Sequence, residues 1–149
     1  MADITVKELD EFEAVFGGGL RRVRAGLGVT SFGLQVIELP PNFTHYPQHD
    51  HSHDEQEEVY TVLSGRATML AGGEEHELER GVFARVGPGE KRKFVTGDEG
   101  VRILAIGAMP GRVYEPPEFT EEGSAPPPMP KDGTQEGSAA PPMPKGGSG

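Results

Sequence analysis

Apolar and polar residues alternate with a period of two over much of residues 32–106, the spacing of strands that bury one face. Residues 32–39 (FGLQVIEL) predict a strand that stops at Pro40, Pro41 and Asn42. Residues 57–63 alternate and are expected to turn tightly at Ser64 and Gly65 into a partner over 67–70. That partner turns again at Gly72 and Gly73 into a return strand over 75–78. Further strands are predicted at 82–86, 92–95 and 101–106, separated by Gly87-Pro88-Gly89 and by a TGDEG turn. The N-terminal residues 4–16 (ITVKELDEFEAVF) start extended and then fit a helical turn or two, with Leu9, Phe12 and Phe16 at three- and four-residue spacings. Gly17, Gly18 and Gly19 end it. Residues 20–29, with Arg21, Arg22 and Arg24 set among Leu20, Val23 and Leu27, fit an edge strand or a loop. Many short strands with glycine and proline between them, and almost no helix, predict an all-β antiparallel barrel or sandwich. Closure into a barrel has the advantage of removing exposed edges.

The alternation does not continue to the C-terminus. Beyond Pro117 the chain is dominated by Pro, Gly, Ser, Ala and Glu, and EGSAPPPMPKDG from Glu122 recurs as EGSAAPPMPKGG from Glu136. Such a segment buries too little apolar surface to offset the entropy of ordering it, so residues 118–149 are expected to be a disordered tail. It would serve as a tether or as a ligand for a proline-binding groove. The stretch from Tyr114 to Phe119 carries two aromatics and could instead lie as a strap over the surface. The 149 residues thus reduce to one domain over 1–117.

Composition narrows the function classes. There is no cysteine, which removes disulfides and thiolate chemistry. The first residues lack the basic and apolar regions of a signal peptide, and no apolar run is long enough to cross a membrane, so a cytoplasmic protein is expected. A net charge of −10 argues against nucleic acid and anionic membranes as partners. Gly17 to Gly19 lack the lysine and hydroxyl of a phosphate loop.

The chemistry concentrates in residues 49–65, HDHSHDEQEEVYTVLSG. In an extended segment His49, His51 and His53 share a face, and three imidazoles with a nearby carboxylate suit zinc, nickel, iron, manganese or copper. A polar loop with solvated histidines is the alternative for the same residues.

These residues resemble the first motif of the cupins, G-x5-H-x-H-x3,4-E-x6-G, with His51, His53, Glu58 and Gly65 in place and His45 where the leading glycine stands. Residues 81–92 (GVFARVGPGEKR) resemble the second motif, G-x5-P-x-G-x2-H-x3-N: Gly81 and Gly89 match, Gly87 takes the proline position, Arg92 the histidine and Thr96 the asparagine. The resemblance spans about residues 30–107. It implies a cupin double-stranded β-helix, or jelly-roll barrel, to which the short N-terminal helical turn is added, and a homodimeric state. It also implies a metal held by His51, His53 and Glu58, without the fourth ligand.

Arg92 has no lone pair to offer a metal. Three accounts follow. In one, the register shifts so that His49 and His51 point inward, with His53 or a rim residue such as His45 completing the set. In another, three protein ligands leave open positions while Arg92 points outward or holds a substrate carboxylate. In the third, no metal binds and Arg92 pairs with Glu58 or Glu57 inside the barrel. The first two imply a small-molecule-binding protein with one divalent metal (Zn, Ni, Mn or Fe), an oxygenase or isomerase. The third implies a non-catalytic binding or structural domain. Tyr60, Phe83, Phe94 and Arg92 are the candidate cavity-lining residues, with Tyr60, Phe83 and Phe94 equally readable as core. His76 is expected at the surface.

Overall fold

The computed structural model describes residues 2–127, and the residues beyond 127, including the second copy of the repeat, lie outside them. The strands are β1 (Ala14–Val15), β2 (Leu20–Arg21), β3 (Gly33–Leu39), β4 (Glu57–Ala71), β5 (Glu74–Glu79), β6 (Phe83–Val86), β7 (Arg92–Val95) and β8 (Val101–Ala108), with one short α-helix, α1 (Val23–Leu27), and 3-10 turns at Leu9–Glu11, Phe16–Gly18 and Glu118–Thr120 among the described residues. Among these strands every pairing is antiparallel. One sheet runs β1-β2-β3-β8-β4-β6, and a second runs β5-β4-β7. β4 belongs to both.

The alternation read from the sequence places these strands, but the tight turn expected at Ser64 and Gly65 is absent. β4 instead continues for fifteen residues and bends there. Val62 pairs with Ile103 and Ser64 with Arg102, so Leu63 is an extra residue in the ladder. The extra residue reverses the strand's parity. Glu58, Tyr60 and Val62 face inward before it, whereas Ala67 and Met69 face inward after it. The turn at Gly72 and Gly73 forms as expected, with both glycines at positive φ.

Inward residues of both sheets meet in one core that includes Ile37, Leu39, Phe43, Tyr46, Tyr60, Met69, Phe94 and Ile103. The outer face of β3 and β8 is covered by the N-terminal segment, where Phe12 and Val23 pack on Val36. Residues 20–29 hold β2 and α1, a helix too short to show periodicity in the sequence. The boundary expected at Pro117 falls inside a strap that packs on the barrel. Phe119 joins the core and lies 6.1 Å from the Phe16 ring. The buried Arg22 guanidinium donates to the carbonyls of Phe119 and Ser124 at 2.8 and 2.7 Å, and pairs with Glu13 at 2.6 Å.

Candidate metal centre

Glu58 enters the barrel because β4 alternates, and its inward neighbour Tyr60 donates its hydroxyl to Glu58 Oε1 at 2.5 Å. His49 is brought in by a different device. Its backbone forms an isolated antiparallel bridge with Arg92, with bonds of 3.1 Å from His49 N to Arg92 O and 2.9 Å from Arg92 N to His49 O. This bridge ties His49 to the first residue of β7, and the His49 ring is buried. His51 follows, its amide bound to the Pro88 carbonyl at 2.8 Å. After His51 the chain turns through residues 52–55, with Glu55 at φ +61, and returns into β4.

His49, His51 and Glu58 each offer a ligand atom, and these atoms all lie within 4.8 Å of one another. His53 is not in the group. The turn that starts at His51 breaks the period-two face, leaving His53 exposed, stacked on the His51 ring and 3.7 Å from Asp54 Oδ2. The grouping has the inward His49 and His51 of the shifted register, but neither His53 nor His45 completes it. His45 is exposed, and His76 sits in β5 with its Nε2 against the Ala71 carbonyl.

The donor set fits a metal. His51 Nδ1 is hydrogen-bonded to Asp54 Oδ1 at 3.1 Å, which fixes the ring. His51 Nε2 is buried and has no aligned hydrogen bond, although it lies 3.0 Å from Glu58 Oε1. Burial alone would favour neutral His51, but the Asp54 and Glu58 carboxylates outweigh it and push its pKa up to about 9. Burial likewise opposes ionised Glu58, yet His51, His49 and Arg92 bring its pKa down to about 2. Burial dominates at His49, whose pKa falls to about 3, so its imidazole is neutral with a lone pair available. In the absence of a cation a proton on His51 does the neutralising, and a metal would compete for that place.

Arg92 is fully buried. Its Nη2 donates to the Gly87 carbonyl at 3.2 Å and stands 3.9 Å from Glu58 Oε1, while Nε and Nη1 have no hydrogen-bond partner. Arg92 thus pairs with Glu58 through Nη2 alone, at ion-pair distance and without a hydrogen bond. Phe94 is buried, edge-on to Tyr46 and Tyr60 at 5.0 and 4.9 Å. Phe83 departs from its expected place in the cavity wall: it is 74% exposed, because Ala84 and Val86 take the inward positions of β6. A cavity of ≈ 50 Å³ touches all three members of the group, and Tyr46, Tyr60, Gln35, Ala105, Ile37, Leu20 and Phe119 complete its wall. Sequence reasoning missed Tyr46, Gln35 and Asp54. Gln35 was visible as a polar residue sharing a face with Ile37 and Leu39.

Residues 35–107 match a family model described as cupin domain. This chain carries a cupin domain. The fold agrees: a cupin protein from Bacteroides fragilis superposes with a TM-score of 0.58 at 24% identity, covering 84% of this chain and 98% of that one. A Cupin 2 conserved barrel domain protein from Salinispora arenicola gives 0.52 at 19% identity, covering 70% and 87%. A sugar phosphate isomerase from a cupin superfamily of Silicibacter pomeroyi gives 0.56 at 21% identity, covering 69% and 74%. No protein of curated function matches the chain. Among the described residues of this cupin, no helix is long and apolar enough to cross a membrane.

Proposed function

We propose that this cupin binds one divalent transition metal (zinc, nickel, manganese or iron) through His49, His51 and Glu58 and takes a small anionic molecule beside it, as an oxygenase or isomerase would. The observation that carries the reading is the convergence of buried His49 and buried His51 on Glu58, their ligand atoms within 4.8 Å of one another and His51 Nε2 turned to Glu58 while Asp54 holds the opposite edge of the ring. A divalent ion there would supply Lewis-acid or redox chemistry. The residues around it have separable roles. Asp54 orients His51. Tyr60, its pKa raised well above the usual phenol value by burial and by the Glu58 charge, stays protonated and holds Glu58 in place. Arg92 already opposes the Glu58 charge, so an anionic ligand would be favoured to balance the cation. Leu20, Ile37 and Phe119 keep bulk water out.

The burial of Arg92 beside Glu58 favours a second reading, a metal-free, non-catalytic binding domain in which His51, Glu58 and Arg92 neutralise one another. Metal analysis of untagged protein, reconstituted separately with the four metals, separates the two. The metal reading expects near-stoichiometric uptake that is lost in His49→Ala and in His51→Ala and kept in His53→Ala. Absence of metal from the wild type overturns it, and loss in His53→Ala alone returns the site to the other register.

A homodimer is also proposed, supported by the apolar stripe that Leu63, Phe83 and Ile106 leave exposed on the outer face. Light scattering giving the mass of one chain would overturn this part.

A further inference from the structure

We propose that Gln35 forms, with the His49/His51/Glu58 group, a subsite for the carboxylate of a short-chain organic acid. The inference rests on the metal reading above and names the ligand class and the residue that selects it.

The ladder sets the geometry. Gln35 pairs with Ala105, and Ala105 pairs with Tyr60, so Gln35 and Tyr60 are inward residues two strands apart with only a methyl group between them. Neighbouring strands lie about 4.8 Å apart, and a small residue between two large ones leaves a gap. That gap is the cavity. One step along the ladder, Glu58 pairs with Gly107 and Gly107 with Gly33. The Tyr114 hydroxyl and the Gln56 side chain pack over these two glycines, and beside them lies a further lobe of ≈ 50 Å³ that Pro117 also lines and that shares Gln35, Glu58, Ala105 and Phe119 with the first.

The amide of Gln35 is fixed by a donor that cannot be exchanged. Its Oε1 accepts the backbone N–H of Val23 at 3.1 Å, so the other end must be Nε2. That Nε2 is buried and has no hydrogen-bond partner, a condition native proteins seldom leave without a reason. A buried donor at a cavity wall calls for an acceptor in the cavity. Gln35 Nε2 can take one carboxylate oxygen while the other faces the His49/His51/Glu58 group, whereas a phosphate would bring in further oxygens that each need a donor of their own. The second lobe takes Pro117, Phe119, Ala105 and the ring of Tyr114 into its wall along with the polar Gln56, Glu58 and Thr120, which leaves room for a short tail rather than a long apolar one.

The test uses the full chain loaded with cobalt(II), whose visible absorption reports ligands at the centre, titrated with formate and separately with inorganic phosphate. Wild type is expected to bind formate saturably and more tightly than phosphate. Gln35→Glu keeps an acceptor for the Val23 amide but replaces the donor facing the cavity. Gln35→Met removes the donor without adding charge. Both are expected to retain cobalt and to weaken formate by about tenfold or more. Formate affinity unchanged in either folded variant overturns the role of Gln35 and leaves the metal reading intact. Phosphate binding as tight as formate overturns the carboxylate assignment. Failure of the wild type to take cobalt overturns the metal reading and this inference together.

Discussion

The Arg92 guanidinium stands 3.9 Å from Glu58 Oε1 and spends its Nη2 hydrogen on the Gly87 carbonyl instead. It is close enough to lower the affinity of the centre for a cation, yet it does not close the centre with a hydrogen-bonded pair. Replacing Arg92 by histidine removes a full positive charge and supplies an imidazole. Arg92→His is therefore expected to tighten metal binding by about tenfold or more, measured by competition with a chromophoric chelator. Unchanged affinity in a folded variant would mean that Arg92 faces away from the bound ion.

The charges on His49, His51 and Glu58 give the metal-free protein a defined pH dependence. The folded pKa of His51, about 9, lies above its ordinary 6.5. The folded state therefore binds the extra proton, and this stabilisation is complete below about pH 6.5 and lost as pH rises through 9. The folded pKa of His49, about 3, lies below 6.5, so the unfolded state binds the extra proton and stability falls as pH drops from 6.5 towards 3. Glu58, at about 2 against 4.5, adds a loss at the acid end. Urea unfolding of metal-free protein should give the greatest stability near pH 6.5. His51→Gln should flatten the alkaline side, and His49→Gln the acid side. Saturating metal should remove the alkaline loss, because the ion replaces the His51 proton. Parallel wild-type and His51→Gln profiles between pH 6.5 and 9 would contradict the assignment.

The sheet was legible because half-buried strands write their period into the sequence: Gln35, Ile37 and Leu39, or Arg92 and Phe94, fall on one face by counting. The histidine register was not. His49, His51 and His53 share a period-two face whichever pair is inward. What decides among them is the bridge from His49 to Arg92, a partner 43 positions away in the chain, together with the turn after His51. The continuity of β4 was hidden for a local reason. Ser64-Gly65 has the composition of a turn, and nothing nearby in sequence shows that the Gly100 carbonyl occupies the space beside Gly65. The strap was suggested by the aromatics of 114–119, but its anchor, Arg22, sits in a segment that fits an edge strand or a loop and gives no sign of a partner about a hundred positions away.

Arg22 is 1% exposed, and its three hydrogen bonds join the Glu13 carboxylate to the Phe119 and Ser124 carbonyls. Truncation leaves three acceptors without this donor and loosens the strap that walls the centre. Arg22→Met, which keeps most of the apolar stem, is expected to cost about 2–4 kcal/mol in urea unfolding. It should also speed hydrogen exchange in residues 114–124. A loss below about 0.5 kcal/mol, the range of ordinary surface substitutions, would show that the strap does not depend on Arg22.

Gly65 and Gly72 separate two costs that a glycine substitution usually mixes. Both have positive φ, +75 and +63. A methyl group at Gly72 would enter open space, whereas one at Gly65 would collide with the Gly100 carbonyl oxygen. Gly100 has little room to retreat, since a Cβ built on it would already lie 2.8 Å from the Leu39 carbonyl oxygen. Gly72→Ala should therefore show the left-handed backbone cost alone, about 1–2 kcal/mol. Gly65→Ala should add the displacement of β8 where β4 bends, for a total loss of at least about 3 kcal/mol. Because Glu58 and Tyr60 precede that bend on the same strand, metal uptake in Gly65→Ala should weaken along with stability, while Gly72→Ala should bind metal as the wild type does. Equal losses in the two variants would mean that the bend yields to a side chain, and that the parity change at Leu63 does not depend on glycine at position 65.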